Sequence, residues 1–177
     1  MLAFLLGGAR SGKSALGQRL ASAAAAGAPV TVVVTAEPGD AEMAERIGRH
    51  RADRDASWPT VEAPRALLDA CAALPADVVV LVDCLSFWAA NRVMDGDAEA
   101  AVVAEAAAFA AWAEAHPRWV VAVSNEVGGG VVPDNELARR FRDVLGRVNT
   151  TVAAGAARAW LVAAGRVTAL APPPEDL

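Results

Sequence analysis

The stretch GGARSGKS, residues 7 to 14, places glycines, a hydroxyl and a lysine at the spacing G-x-x-x-x-G-K-[ST], with Gly7, Gly12, Lys13 and Ser14 at the defining positions. Glycines let successive backbone N–H groups turn inward on phosphate oxygens, and a helix starting there adds the partial positive charge of its N-terminus. Lys13 is the only lysine among 16 basic side chains, the rest being arginine. A compact ammonium on a thin stem threads between such a loop and the β- and γ-phosphates, where a planar guanidinium is bulkier and differently directed. Gly7, Gly8, Ala9, Arg10, Ser11, Gly12, Lys13 and Ser14 are therefore the candidate cradle of a nucleoside triphosphate, with the Ser14 hydroxyl on Mg2+. Asp83, which ends the apolar run VVVLVD, is the candidate second partner of that Mg2+; it reads alternatively as the cap of a helix starting at 85–88.

A second kind of chemistry attaches to histidine, of which the chain has two. His116 precedes Pro117 at a predicted helix end and reads as a surface residue. His50 falls in a predicted helix over 40–52, where Met43 and Ile47 share one face and Arg46 and His50, four apart, share another, with Arg54 just beyond. A neutral imidazole can attack phosphorus to give a phosphoramidate, and nearby guanidinium groups would hold phosphates and disfavour protonation of the ring. On spacing alone, a solvated helix face with i, i+4 charges such as Glu42 and Arg46 is the simpler reading.

These residues must be positioned by the elements around them. Continuous apolar runs of strand length occur at 2–7, 30–35, 78–83, 119–124 and 159–164, as expected of strands buried on both faces. Helical segments are predicted near 13–26, 40–52, 64–73, 97–115 and 134–156. The alternation is a βαβ pattern, which implies an α/β fold: a mostly parallel sheet with helices on both faces and a ligand crevice at the carboxyl ends of the strands. Residues 1–170 are expected to form a single nucleotide-binding domain, and APPPEDL, 171–177, a disordered tail. SNEVGGGVVP, 124–133, follows a strand, so Asn125 and Glu126 are expected at the same sheet edge as the phosphate loop. Gly128 to Gly130 read either as a substrate loop or as plain turn chemistry, and Pro133 as part of a helix's first turn. The five tryptophans read chiefly as core, with a subunit contact as the other use.

Composition limits the partners. A net charge of -5 and a pI near 5.0 leave no dominant basic field for nucleic acid or an anionic membrane surface, so any anion must be held locally. Cys71 and Cys84 lie in apolar surroundings and fit buried thiols in a reducing compartment. The apolar start lacks a preceding basic segment and is short, and the uncharged stretch 20–36 is broken by Gly27 and Pro29, so neither a secretory signal nor a membrane span is expected. A cytoplasmic location follows as the expectation.

Taken together, GGARSGKS, TAEP at 35–38, the D-x-E-M-x-x-R-I-x-x-H-R-x-x-R pattern at 40–54, TVEAP at 60–64, VDCLSFW at 82–88 and VSNEVGGGVVPDNELARRFRDVLGRVN at 123–149 are in order along the chain. This series resembles the bifunctional adenosylcobinamide kinase/adenosylcobinamide-phosphate guanylyltransferase family of cobalamin biosynthesis, from residue 2 to about 165. The resemblance implies a RecA-like P-loop NTPase domain, a homotrimer, and two reactions. The first moves the γ-phosphoryl of ATP or GTP onto adenosylcobinamide. In the second, His50 takes GMP from GTP, expels pyrophosphate and passes GMP to adenosylcobinamide phosphate. It also implies that Thr35, Ala36, Glu37, Arg51, Ala52, Asp53, Arg54 and Glu62 lie beside the nucleotide and Asp83 near Mg2+. His50 and Lys13 are then the catalytic pair of residues, and the solvated-face reading of His50 gives way.

The chain departs from the family pattern at Ala89 and Ala90, where a bulkier apolar residue is usual, and at Gly165-Arg166-Val167, where G-x-P is usual; neither touches a residue assigned to chemistry. A P-loop small-molecule kinase without guanylyl transfer remains the alternative. A regulatory GTP switch does not fit, because a chain whose single lysine is Lys13 has no N-K-x-D guanine motif.

Overall fold

The computed structural model describes residues 1–39, 41–52 and 54–174, and only the backbone at 42, 43, 46 and 50. Strands β1 (Leu2–Gly7), β2 (Val30–Val34), β3 (Thr60–Glu62), β4 (Val79–Asp83), β5 (Val120–Asn125), β6 (Arg158–Ala163) and β7 (Arg166–Ala169) form one sheet in the order β3-β2-β4-β5-β1-β6-β7. All neighbours run parallel except β6 and β7, which form an antiparallel hairpin at the edge. Helices α1 (Lys13–Ala25), α2 (Ala41–Ala52), α3 (Leu67–Ala72), α4 (Leu85–Met94), α5 (Glu99–Ala115) and α6 (Glu136–Ala154) connect them.

The strands alternate their side chains between two cores, as the two-residue period of an extended chain requires. Leu2, Phe4, Val80, Val82, Val120 and Ala122 pack with α3, α4, α5 and α6, whereas Ala3, Leu5, Val79, Leu81, Val121 and Val123 pack with α1. Helices therefore cover both faces, but unequally. The small face of α1 allows close approach: a Cβ on Gly17 would meet Val123 Cγ2 at 3.0 Å. On the larger side, the fully buried Trp88 also donates its indole N–H to the Arg65 carbonyl at 2.8 Å.

The predicted elements are all present, within three residues at their ends. The three-residue β3 and β7 were not foreseen, and α4 was read only as a helix start at 85–88, in the reading that made Asp83 its cap; β3 and β7 are both short. Pro133 does not enter the first turn of α6. That helix begins three residues later, where the Asn135 side chain caps it by accepting from the Ala138 N–H at 2.8 Å.

His116 is not a surface residue. The residue is 8% exposed, its ring centroid lies 4.9 Å from that of Trp112, and its Nε2 is 3.0 Å from the Val78 carbonyl oxygen, so it ties the end of α5 to the start of β4. The position before a proline at a helix end misled, because such a residue is expected to leave the helix; here it leaves the helix and turns inward. Cys71 and Cys84 are both buried free thiols, and burial pushes the Cys71 thiol up to about 12. Among the described residues no helix is long and apolar enough to cross a membrane. Residues 171–174 carry no regular structure, and 175–177 lie outside the described residues.

Truncating Trp88 removes a large buried ring and orphans the Arg65 carbonyl. Trp88→Ala is expected to lower the unfolding free energy by about 3–5 kcal/mol, as read from the urea midpoint at unchanged slope. Trp88→Phe should cost less, because it keeps most of the packing.

Candidate active site

The carboxyl ends of the parallel strands carry the residues with chemistry. Chain 7–14 leaves β1 and enters α1 with Gly12 at the helix N-cap, where φ is 95° and a side chain would be strained. Gly7 is required for a different reason: a Cβ there would overlap the Val162 carbonyl oxygen of β6 and sit 2.8 Å from Ser11 Oγ. The Lys13 side chain is buried, and its Nζ donates to the Gly8 carbonyl at 3.1 Å, so the ammonium folds back over the loop. The loop is braced from behind by the β6–β7 hairpin, whose Gly165 N–H donates to the Ser11 carbonyl at 2.8 Å. Ser11 Oγ is buried with no hydrogen-bond partner among the described residues, an unmet polar atom at the floor of the cradle.

Asp83 ends β4, two strands away from β1. Its Oδ1 accepts from the Ser14 hydroxyl at 3.3 Å, and its Oδ2 lies 3.5 Å from Arg54 NH2, with both side chains of that ion pair about one-tenth exposed. Asp83 is not a helix cap: the N-cap of α4 is Cys84, and no side chain caps it. Arg54 Nε is buried with no hydrogen-bond partner among the described residues. The neighbouring Cys84 thiol is pushed up by burial, and further by the Asp83 charge, and stays protonated.

A cleft of about 840 Å³ joins these groups. Its lining includes Arg10, Ser11, Gly12, Lys13 and Ser14 of the loop, Ala36 and Glu37 after β2, Ile47, Arg49 and Arg51 of α2, then Arg54, Glu62, Asp83 and Asn125. That size suits a nucleotide or similar ligand. Of the other expected site residues, Gly7 is buried against β6, Gly8 and Ala9 are exposed on the loop, and Ala52 is exposed on α2. Thr35 is fully buried and donates its hydroxyl to the Cys84 carbonyl at 2.5 Å, fastening β2 to β4 beneath the cleft. The His50 backbone belongs to α2 between Arg49 and Arg51; the His50 side chain and Asp53 lie outside the described residues.

Several supporting residues carried no sequence signal. Asn91 of α4 is buried and donates to both the Thr35 and Pro64 carbonyls at 2.9 Å, clamping the segments that follow β2 and β3. Arg65 NH1 pairs with Glu37 at 2.8 Å while its Nε donates to Asp95 at 2.5 Å. These bonds to Asp95 and Glu37 raise the guanidinium further above its ordinary range and hold the Asp95 carboxyl below its own. A second arginine, Arg92, joins Asp97 and Glu105 and lies 5.8 Å over the Trp88 ring. Apart from those of Arg92 with Asp97 and Trp88, these contacts join residues distant in sequence.

The loop, the strand-end aspartate and the parallel sheet define a RecA-like P-loop nucleotide-binding protein. One solved structure of similar fold is an ATPase from the type III secretion system of pathogenic bacteria, at a TM-score of 0.54 and 13% identity, covering 90% of this chain and 50% of that one. The family model for cobinamide kinase / cobinamide phosphate guanyltransferase matches residues 3–170, and the chain belongs to that family. Similar curated proteins include the bifunctional adenosylcobalamin biosynthesis protein CobP of Pseudomonas aeruginosa, 41% identical over 162 residues, 91% of this chain and 92% of that protein. Another is CobU of Escherichia coli strain K12, bearing the same description, 38% identical over 178 residues with 93% and 97% coverage.

The Lys13 ammonium is buried against the loop. Lys13→Arg, although it conserves charge, is expected to weaken GTP binding roughly 10–100-fold, the loss of one hydrogen bond to a charged group. Fluorescent-GTP titration against the parent measures it; an unchanged affinity would show that the loop backbone alone holds the phosphates.

Proposed function

We propose that this chain carries out both transfers named by its family: phosphorylation of adenosylcobinamide with ATP or GTP, then transfer of GMP from GTP to give adenosylcobinamide-GDP. The observation that carries the reading is the single cleft in which the phosphate loop, the Ser14–Asp83 pair and the arginines of α2 and the following turn meet. A phosphate loop alone supports a kinase. The addition of Arg49, Arg51 and Arg54 to the same cavity supports a second anion-handling step.

In the kinase step Lys13 and the loop N–H groups hold the triphosphate in line for attack by the substrate hydroxyl. Ser14 and Asp83 offer a hydroxyl and a carboxylate 3.3 Å apart, hard oxygen donors of the kind Mg2+ accepts alongside water and substrate phosphates. When bound there, Mg2+ would neutralise phosphate charge. In the guanylyl step His50 is the nucleophile toward the α-phosphorus. Pyrophosphate leaves, and the phosphate of adenosylcobinamide phosphate then attacks the histidine-bound GMP. Splitting the transfer this way replaces one attack by a weakly nucleophilic phosphate with two steps in which the anionic partners enter separately. Arg51 and Arg54 stabilise the α-phosphate and the leaving pyrophosphate, and Glu62 accepts from the guanine edge or the ribose. The enzyme acts as a cytoplasmic homotrimer on this reading.

Intact-protein mass after incubation with Mg-GTP alone tests the covalent step. The parent should gain one GMP, released by acid, and His50→Ala should gain none. Absence of the adduct in a parent that binds GTP tightly would leave a kinase without guanylyl transfer.

A further inference from the structure

Strand order puts β5 between β4 and β1, so the carboxyl end of β5 falls between the two strand ends that carry Asp83 and the phosphate loop. Asn125 is that end. It pairs in register with Gly7, it is half-buried, and it lines the cleft. Among the described residues its carboxamide has no hydrogen-bond partner, whereas its backbone is fixed. The Asn125 carbonyl accepts from Asn149 Nδ2 at 3.0 Å, and the next residue, Glu126, donates its N–H to the Gly7 carbonyl at 3.0 Å.

Asn149 is itself locked. It lies in α6, is 6% exposed, and its Oδ1 accepts from the Ser124 hydroxyl at 2.6 Å, with Ser124 fully buried. A buried Ser–Asn pair is costly unless each polar atom is satisfied, and here the satisfied set ends on the backbone of a strand-end residue whose side chain lines the cleft. Helix α6 thereby fixes where that carboxamide sits.

We propose that Asn125 is a catalytic contact of the phosphoryl-transfer step, donating its carboxamide N–H to a γ-phosphoryl oxygen, and that Asn149 is its positioning residue. The proposal rests on the kinase reading above. In the step, the substrate hydroxyl oxygen forms a bond to the γ-phosphorus as the bond from that phosphorus to the β,γ-bridging oxygen breaks. The nucleoside diphosphate departs with the electron pair, and the hydroxyl proton passes to solvent. A neutral donor on the transferring group stabilises charge in transit without adding a counter-charge that would hold the product. Guanylyl transfer works on the α-phosphorus, two phosphates further along the nucleotide, and does not use this contact. Asn125 is therefore specific to one of the two reactions.

The test compares parent, Asn125→Ala and Asn149→Ala for three readouts: fluorescent-GTP affinity, enzyme guanylylation by intact mass, and kcat and KM for cobinamide phosphorylation. Asn125→Ala is expected to lower the kinase kcat by about 10²–10³-fold, the effect of deleting one transition-state donor, with affinity and guanylylation within a few-fold of parent. Asn149→Ala should show a smaller loss of the same kind, in kcat and not KM, with retained guanylylation showing an intact cleft. An unchanged kinase kcat in Asn125→Ala overturns the assignment, and so does a parallel loss of guanylylation, which would place Asn125 on a part common to both steps. A parent that takes up GMP but phosphorylates no cobinamide overturns the kinase reading itself, an outcome visible before any variant is compared.

Discussion

Backbone packing at the phosphate loop governs the geometry of everything else in the cleft. Gly7 lies so close to the Val162 carbonyl that no side chain fits, and Gly165 of the edge hairpin donates to the Ser11 carbonyl. With its back held in this way, the loop cannot collapse onto β6, and its N–H groups stay directed to the side where α1 begins. The last strands in the sequence thus brace the first turn after β1. The departure from the usual family pattern at Gly165-Arg166-Val167 falls at this brace, and the hairpin forms regardless, with Ala163 paired to Arg166.

From the loop outward, the cleft is assembled by polar groups that are buried and satisfied. Thr35 binds the Cys84 carbonyl, Asn91 joins the segments after β2 and β3, and Asn149 holds the end of β5. Each ties a strand end to a neighbouring element at the level where the ligand would enter. Buried amides of this kind contribute modestly to net stability but strongly disfavour alternative arrangements, since any shift strands a donor in an apolar core. Asp83 stands at the centre, shared between Ser14 and Arg54, so the groups that would meet the phosphates are already arranged around one carboxylate.

The two reactions of the family ask for charge at two places along one nucleotide. The sheet separates them: the phosphate loop and Asn125 belong to β1 and β5, while Glu37, α2 and Glu62 belong to the β2 and β3 side of Asp83. On the proposed reading a single cleft can thereby serve both steps. The net charge of -5 makes no contribution to this; on the proposed reading the anion is held by the loop, one lysine and a few arginines.

Apolar runs alternating with alanine-rich segments were enough to set the parallel α/β class, because strands buried on both faces must be continuously apolar. GGARSGKS was legible for the same reason in reverse: only a strand-to-helix junction wrapped around an anion needs that placement of glycine, lysine and serine. Asp83 was legible as a strand end, but whether it capped a helix or faced the loop was not, since both uses place aspartate at the same position. His116 was misread and Asn91, Asn149 and Arg65 went unseen, because the role of such a polar side chain is defined by its partner, and those partners lie 23 to 56 residues away in the chain. The sequence by itself determined the periodicities and the local phosphate chemistry, which depend on near neighbours. Only the tertiary structure decided strand order and with it which strand ends adjoin, because that outcome depends on how two apolar faces of one sheet share the available helices.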